Sequence, residues 1–209
     1  IINEIDKPND LLNYKSFVNK ISSKINHVPG NHDVGIDSDK LSKEGINFYR
    51  KNFGKDFYSL AWNDFELIFL NSSIFINSEN IDLYNEQIDF IKKTLNGFGS
   101  KKRIIVFMHH PPYIDKKDIL SSHQELIYSK GISYWTFEES INNEFFDLFS
   151  THSLEYIFTG HLHLNLETNF NETKIITTSA LGLPLGDDPS GYRIIDYRDG
   201  KLSYDFFSI

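Results

Sequence analysis

Ile104-Ile105-Val106-Phe107-Met108-His109-His110-Pro111-Pro112 is an unbroken apolar run that ends on two histidines and two prolines. A run of this kind suits a strand buried on both faces, the habit of parallel strands in α/β proteins. Pro111 and Pro112 stop it, because proline offers no amide to a ladder and constrains the residue before it. Whatever follows such a strand lies at its carboxyl end, where open α/β sheets carry their chemistry. Leu154-Glu155-Tyr156-Ile157-Phe158 repeats the pattern and delivers Gly160-His161-Leu162-His163. A third cluster, Gly30-Asn31-His32-Asp33, follows Val28-Pro29, read as the end of a short strand. Together the clusters hold His32, His109, His110, His161 and His163, five of the chain's eight histidines. They read as one metal site assembled from loops far apart in sequence.

Composition fits that reading. The 209 residues are 40% hydrophobic and 24% charged, enough for one α/β domain with a sizeable core spanning 1–209. A net charge of −8 argues against a nucleic-acid-binding surface, which is normally basic. No apolar run is long enough for a membrane span. The chain contains no cysteine, so neither disulfides nor thiolate chemistry enter. A site of His, Asn and Asp needs no sulfur and suits Mn, Fe or Zn.

Around the clusters, periodicity predicts the remaining elements. Leu11, Tyr14, Phe17, Val18, Ile21 and Ile25 form one face of a helix over 10–25, with Asp10 as its cap. A second helix covers 42–52 and closes at Gly54. Asn63-Asp64 joins two strands as a tight hairpin. Ile81, Tyr84, Ile88, Ile91 and Leu95 mark a helix stopped by Gly97 and Gly99, after which Lys101-Lys102-Arg103 leads into the first buried strand. Residues 113–137 form an aromatic-rich excursion with a capping box at Ser122 and Glu125. A further helix buries Ile141, Phe145, Leu148 and Phe149. Strands over 165–170 and 174–179 precede a last hairpin turning on Asp199-Gly200, a type I′ signal.

Asn31 offers a neutral carbonyl oxygen, and His109, His161 and His163 offer imidazole nitrogens, a set suited to borderline divalent metals. On an extended segment alternate side chains share one side, so His161 and His163 would face a common site. Gly160 would permit close backbone approach. His27, His123 and His152 stand alone and read as structural. Arg193 and Asp187-Asp188 read as structural or solvated polar surface. The aromatics Tyr113, Tyr128, Tyr134, Trp135 and Phe137 form a satellite cluster under the loop or, alternatively, a flap over substrate.

The three clusters, with the closing Gly191-Tyr192-Arg193 strand, resemble the later motifs of the calcineurin-like metallophosphoesterases across essentially the whole chain. The resemblance implies a four-layer α/β/β/α sandwich with two divalent metal ions (Mn, Fe or Zn) at the carboxyl ends of the strands. In it Asn31, His109 and His161 bind one ion and His163 the other. His32 is the unligated histidine near the leaving group, oriented by Asp33. His110, beside the ligand His109, touches substrate. The implied reaction is hydrolysis of a phosphoester or pyrophosphate bond in a small phosphorylated substrate, by a hydroxide that the two metals activate. The family's first two motifs, Asp-x-His and Gly-Asp, are not in this sequence. Ile1-Ile2-Asn3 resembles the text just after that Gly-Asp, with Asn3 in a slot often filled by Asn or Asp. The first strand-helix-strand unit is therefore expected upstream of residue 1, and this segment alone is expected to bind metal poorly and to be inactive. Two other readings stand beside this one: a non-catalytic module that keeps the fold for binding, and a mononuclear hydrolase of another substrate.

Overall fold

A computed structural model describes residues 1–2, 5, 7–35, 41–98 and 102–209, without the side chains of 121, 122 and 126. Asn3, Gly99 and Lys101 lie outside the described residues. The centre of the molecule is a six-stranded sheet in the order β1-β2-β3-β4-β6-β5. Its strands are β1 (Tyr58–Trp62), β2 (Phe65–Phe69), β3 (Arg103–Phe107), β4 (Ser153–Thr159), β5 (Leu166–Phe170) and β6 (Thr173–Thr177). β2, β3, β4 and β6 run parallel, and β1 and β5 close the edges antiparallel. A separate hairpin pairs β7 (Gly191–Arg198) with β8 (Lys201–Ser208).

Turn chemistry sets the three hairpins. Asn63, Asn171 and Asp199 each occupy left-handed backbone (φ 51°, 52° and 51°), and Gly200 follows at 77°. These residue types tolerate that region, and two-residue hairpin loops demand it.

The apolar run of β3 is buried on both faces, as its composition requires. Ile104 and Val106, with Ile68, Ile157 and Ile175, face a core closed by helices α3 (Lys43–Phe53), α4 (Ser72–Ile76), α5 (Ile81–Asn96) and α7 (Glu139–Leu148). Tyr49, Phe75, Ile91 and Phe145 fill that core. Ile105, with Phe65, Phe158 and Ile176, meets Ile195, Tyr197, Leu202 and Tyr204 of the β7–β8 hairpin. The expected α/β class and the stacking of two sheets are both present. Among the described residues the layers run helices, large sheet, small sheet. On the outer face of the hairpin Tyr192, Ile194 and Phe207 stand exposed.

Three local expectations are corrected. The first helix, α1, runs Pro8–Val18 with Lys7 at its cap, and buries none of its residues. Pro8 takes the first helical position, where its missing amide costs nothing. Asn19, Ser22 and Ser23 then favour non-helical hydrogen bonding over propagation. Leu12 and Phe17 are 62% and 60% exposed, so apolar spacing here has no described surface to bury against. The segment ending at Val28-Pro29-Gly30 is extended but has no ladder partner among the described residues, and it is not a strand. Helix α6 starts at Ser121 with Leu120 at its cap, so Ser122 stands inside the first turn and not at the cap position. Two elements had no expectation attached: α4 and the four-residue helix α2 (Asn31–Val34).

Each lone histidine has a packing or polar partner. His123 is buried against Asp188, which also accepts the Asn165 amide. His27 is bonded to Tyr14, and His152 packs edge-on against Phe98. Arg193 ties β7 to Thr178 and Asn165. No described helix is long and apolar enough to cross a membrane.

Candidate metal centre

The parallel strands deliver the site. Beyond β3 and β4 the ladder continues, with Met108 N–H donating to Phe158 O at 3.1 Å and Gly160 N–H to His109 O at 2.9 Å. That pairing sets His109 beside His161. The segment carrying His161 and His163 is not extended, contrary to the alternation argument. Both residues adopt left-handed backbone (φ 62° and 56°) around Leu162, which is fully buried. Leu162 joins Leu164, Leu166, Ile127 and Trp135 in a second core beneath the 113–137 excursion. Burying that leucine fixes the turn, and positive φ at two histidines is the local strain that sites tend to store.

Asn31 opens α2, whose start is held by Asp33. The Asp33 carboxylate is 1% exposed and accepts the Gly30 and Ile2 amides, both at 2.8 Å. These contacts hold the loop around Gly30, and no hydrogen bond among the described residues joins Asp33 to His32. His32 Nδ1 is buried and unpartnered.

Three donor atoms converge. His109 Nε2 lies 3.0 Å from Asn31 Oδ1 and 3.3 Å from His161 Nδ1. His161 Nε2 lies 3.3 Å from the Tyr134 carbonyl, which can only accept. Donation to that carbonyl places the His161 proton on Nε2 and leaves the Nδ1 lone pair toward His109. A ligating histidine that gives its other N–H to a carbonyl is the usual arrangement at metal sites. His109, His110 and His161 each place a ring nitrogen within 4.8 Å of the others. Burial, then the neighbouring His161, holds His109 well below the ordinary histidine pKa, and the same causes with His109 lower His110. The rings are neutral, the form that binds metal. His163 stands outside this trio, with a buried, unpartnered Nδ1. The converging Asn31, His109 and His161 atoms and the orphaned His163 Nδ1 fit a divalent metal.

The glycine that matters is Gly30, and not Gly160. A Cβ on Gly30 would sit 3.2–3.3 Å from the His109 ring and the Asp33 carboxylate. One on Gly160 would meet His109 at an ordinary 3.7 Å. Beside the donors lies a cavity of about 290 Å³, lined by Asn31, His110, His161, Ser133, Tyr134 and Glu138 among others. Ser133 and Tyr134 come from the aromatic excursion, which is both a packed cluster and a wall of the site. Sequence reasoning missed Ser72, whose hydroxyl bonds His110, and the Tyr134 carbonyl. Ser72 follows β2, a third parallel strand, so the strand-end rule pointed to it. A backbone carbonyl leaves no residue-type signal.

The lowered pKa values have a consequence for stability. The unfolded chain carries histidines that titrate near 6.5. Above that pH His109 and His110 are neutral in both states. Below it the unfolded chain takes up protons that the fold refuses, so stability falls. The urea midpoint of metal-free protein should be lower at about pH 5.5 than at about pH 7.5. Equal midpoints would mean that the buried rings protonate in place.

A parallel sheet whose strand ends gather imidazole and amide donors fits an α/β domain of the metallophosphoesterase class. Residues 2–165 match the model of the calcineurin-like phosphoesterases, and the chain belongs to that family. It is similar to the serine/threonine-protein phosphatase CPPED1 of Bos taurus, 23% identical over 185 residues that cover 87% of this chain and 55% of that protein. The Homo sapiens and Danio rerio proteins of that name are 24% and 21% identical, with the same coverage. The chain spans about half the length of these curated relatives.

Proposed function

We propose that this chain supplies the metal-holding strand ends of a phosphoesterase in which Asn31, His109 and His161 bind one divalent ion and His163 binds a second. The observation that carries this reading is the meeting of Asn31 Oδ1, His109 Nε2 and His161 Nδ1, separated by 3.0 and 3.3 Å. When bound, divalent ions would acidify a water and neutralise charge on phosphoryl oxygens. The chain's own residues do the rest. Tyr134 O holds His161 in the ligating tautomer, and Asp33 fixes the loop that carries Asn31 and His32. His32 gives a proton to the leaving-group oxygen, and its unpartnered Nδ1 leaves the ring uncommitted to structure. The cavity beside the donors takes a small phosphorylated substrate. Because the relatives are named serine/threonine-protein phosphatases, a phosphoserine or phosphothreonine monoester is the first natural substrate to assay.

The test pairs metal content with hydrolysis of bis-p-nitrophenyl phosphate in Mn²⁺, on this segment and on the protein extended upstream of residue 1, where turnover is expected. His32→Ala should lower turnover by roughly 100-fold or more while leaving metal content near wild type, since general acids contribute factors of that order. Metal loss in step with activity would make His32 a ligand instead.

A further inference from the structure

His110 sits in the same cluster as His109 and His161 and is 3% exposed, yet its two ring nitrogens are not equivalent. Nδ1 lies 2.8 Å from Ser72 Oγ, and the backbone N–H of His110 donates to that same oxygen, also at 2.8 Å. Ser72 is fully buried. Its oxygen accepts the His110 amide, and its own hydrogen needs an acceptor, because a buried hydroxyl without one is costly. Among the described contacts His110 Nδ1 is that acceptor. The alternative, Nδ1–H donating to Ser72, would leave the serine hydrogen with no partner in a dry environment.

Ser72 does not choose this position freely. It follows Asn71, which is pinned on three sides. Asn71 N–H donates to Gln87 Oε1 at 2.9 Å, its carbonyl accepts Gln87 Nε2 at 3.2 Å, and its side-chain amide donates to Asp56 at 3.2 Å. Arg50 holds the other oxygen of Asp56 at 2.6 Å. Asn71 and Gln87 are themselves fully buried. A satisfied buried network of this kind rigidifies what it touches. It extends from α3 and α5 to the end of β2 and stops at His110, which lines the cavity.

We infer that Ser72 is a positioning residue that locks His110 as the Nε2–H tautomer, so that His110 presents a hydrogen-bond donor to a phosphoryl oxygen of the substrate and is not a metal ligand. This rests on the phosphoesterase reading of the same site. A neutral N–H beside the metal-binding atoms adds a donor for the phosphoryl group without a third lone pair competing for the ion. Ser72 touches neither substrate nor metal and acts only through the ring it holds.

The experiment uses the protein extended upstream of residue 1, labelled with ¹⁵N at histidine, with His110 assigned by its loss in His110→Ala. In metal-free wild type the His110 signals should show a protonated Nε2 and an unprotonated Nδ1. Ser72→Ala should collapse that pattern to exchanging tautomers, and Ser72→Thr, which keeps the hydroxyl, should restore it. A protonated Nδ1 in wild type overturns the inference whatever the variants do. Mn²⁺ titrations follow: His110→Ala should bind the ion as wild type does, and its loss of binding would make His110 a ligand and overturn the inference. Finally, inorganic phosphate should bind the Mn²⁺-loaded wild type about tenfold more tightly than Ser72→Ala or His110→Ala, the effect of one charge-assisted hydrogen bond. Phosphate binding unchanged in both variants overturns the donor role. If the tautomer is as stated and loaded wild type binds no phosphate, the phosphoesterase reading falls and takes the donor role with it.

Discussion

In the protein extended upstream of residue 1, His109→Ala is expected to cost at least about 100-fold in Mn²⁺ affinity and to remove detectable phosphoesterase turnover. Loss of a group that only orients a ligand costs about 10–100-fold, and removing the ligand itself costs more. His109 has the central place, since its Nε2 lies within hydrogen-bond distance of Asn31 Oδ1 and close to His161 Nδ1. Deleting it leaves the other two donors without their common neighbour. Asn31→Ala and His161→Ala should act in the same direction, and His110→Ala should not. Removing the ring also opens a hole at the end of β3, which by itself costs about 2–4 kcal/mol. Metal affinity must therefore be read beside a urea transition showing that each variant still folds cooperatively. The Asn31 variant is the cleaner control, because its side chain is shorter and only partly buried. Wild-type metal content in all three folded variants would sink the ligand assignment.

How much of this was legible follows from the range of the forces involved. The runs of β3 and β4 announce buried strands because burial on both faces leaves no room for polar alternation. The three hairpins announce themselves because Asn63, Asn171 and Asp199 need left-handed backbone, which is a local demand. That Asn31, His109 and His161 belong together was legible from motif order and strand ends, and the structure brings them together. What stayed hidden depends on contacts between distant segments. Leu162 enters a core that forms only when 113–137 folds over it, and this turns His161 and His163 out of extended geometry. Asp33 beside His32 reads as its partner in the sequence. In space the closer claims on its carboxylate are the Gly30 and Ile2 amides. Helix α1 shows the converse limit. Its spacing is amphipathic, but a hydrophobic stripe contributes stability only against a surface, and none of its residues is buried.

Gly45→Ala is expected to destabilise the protein by about 3 kcal/mol, near the upper end of what overpacking usually costs. Glycine inside a helix ordinarily costs about 1 kcal/mol against alanine. Here the surroundings of Gly45 outweigh that cost. Gly45 lies in the first turn of α3, where its amide donates to the capping Ser42 hydroxyl at 2.9 Å. A Cβ there would fall 1.9 Å from the Val34 carbonyl oxygen and 2.3 Å from its carbon. Those atoms are backbone, so no side chain can swing aside. Val34 is the last residue of α2, and its carbonyl also accepts the Ser42 amide at 3.2 Å. Accommodating the methyl means moving α3 and α2 apart by roughly 1 Å, the scale on which misplaced sites lose large factors in rate. Asn31 and His32 ride on α2, so the variant should lose metal affinity as well as stability. Gly54→Ala is the contrast: its φ is 97° but nothing lies within 4 Å of the added Cβ. It should cost about 1–3 kcal/mol, from backbone strain alone, and leave metal binding intact. Urea midpoints with Mn²⁺ titrations on both variants decide the matter. A Gly45→Ala protein as stable as wild type would mean that α3 does not press on the backbone of α2, and the rigid seating of Asn31 would need another cause.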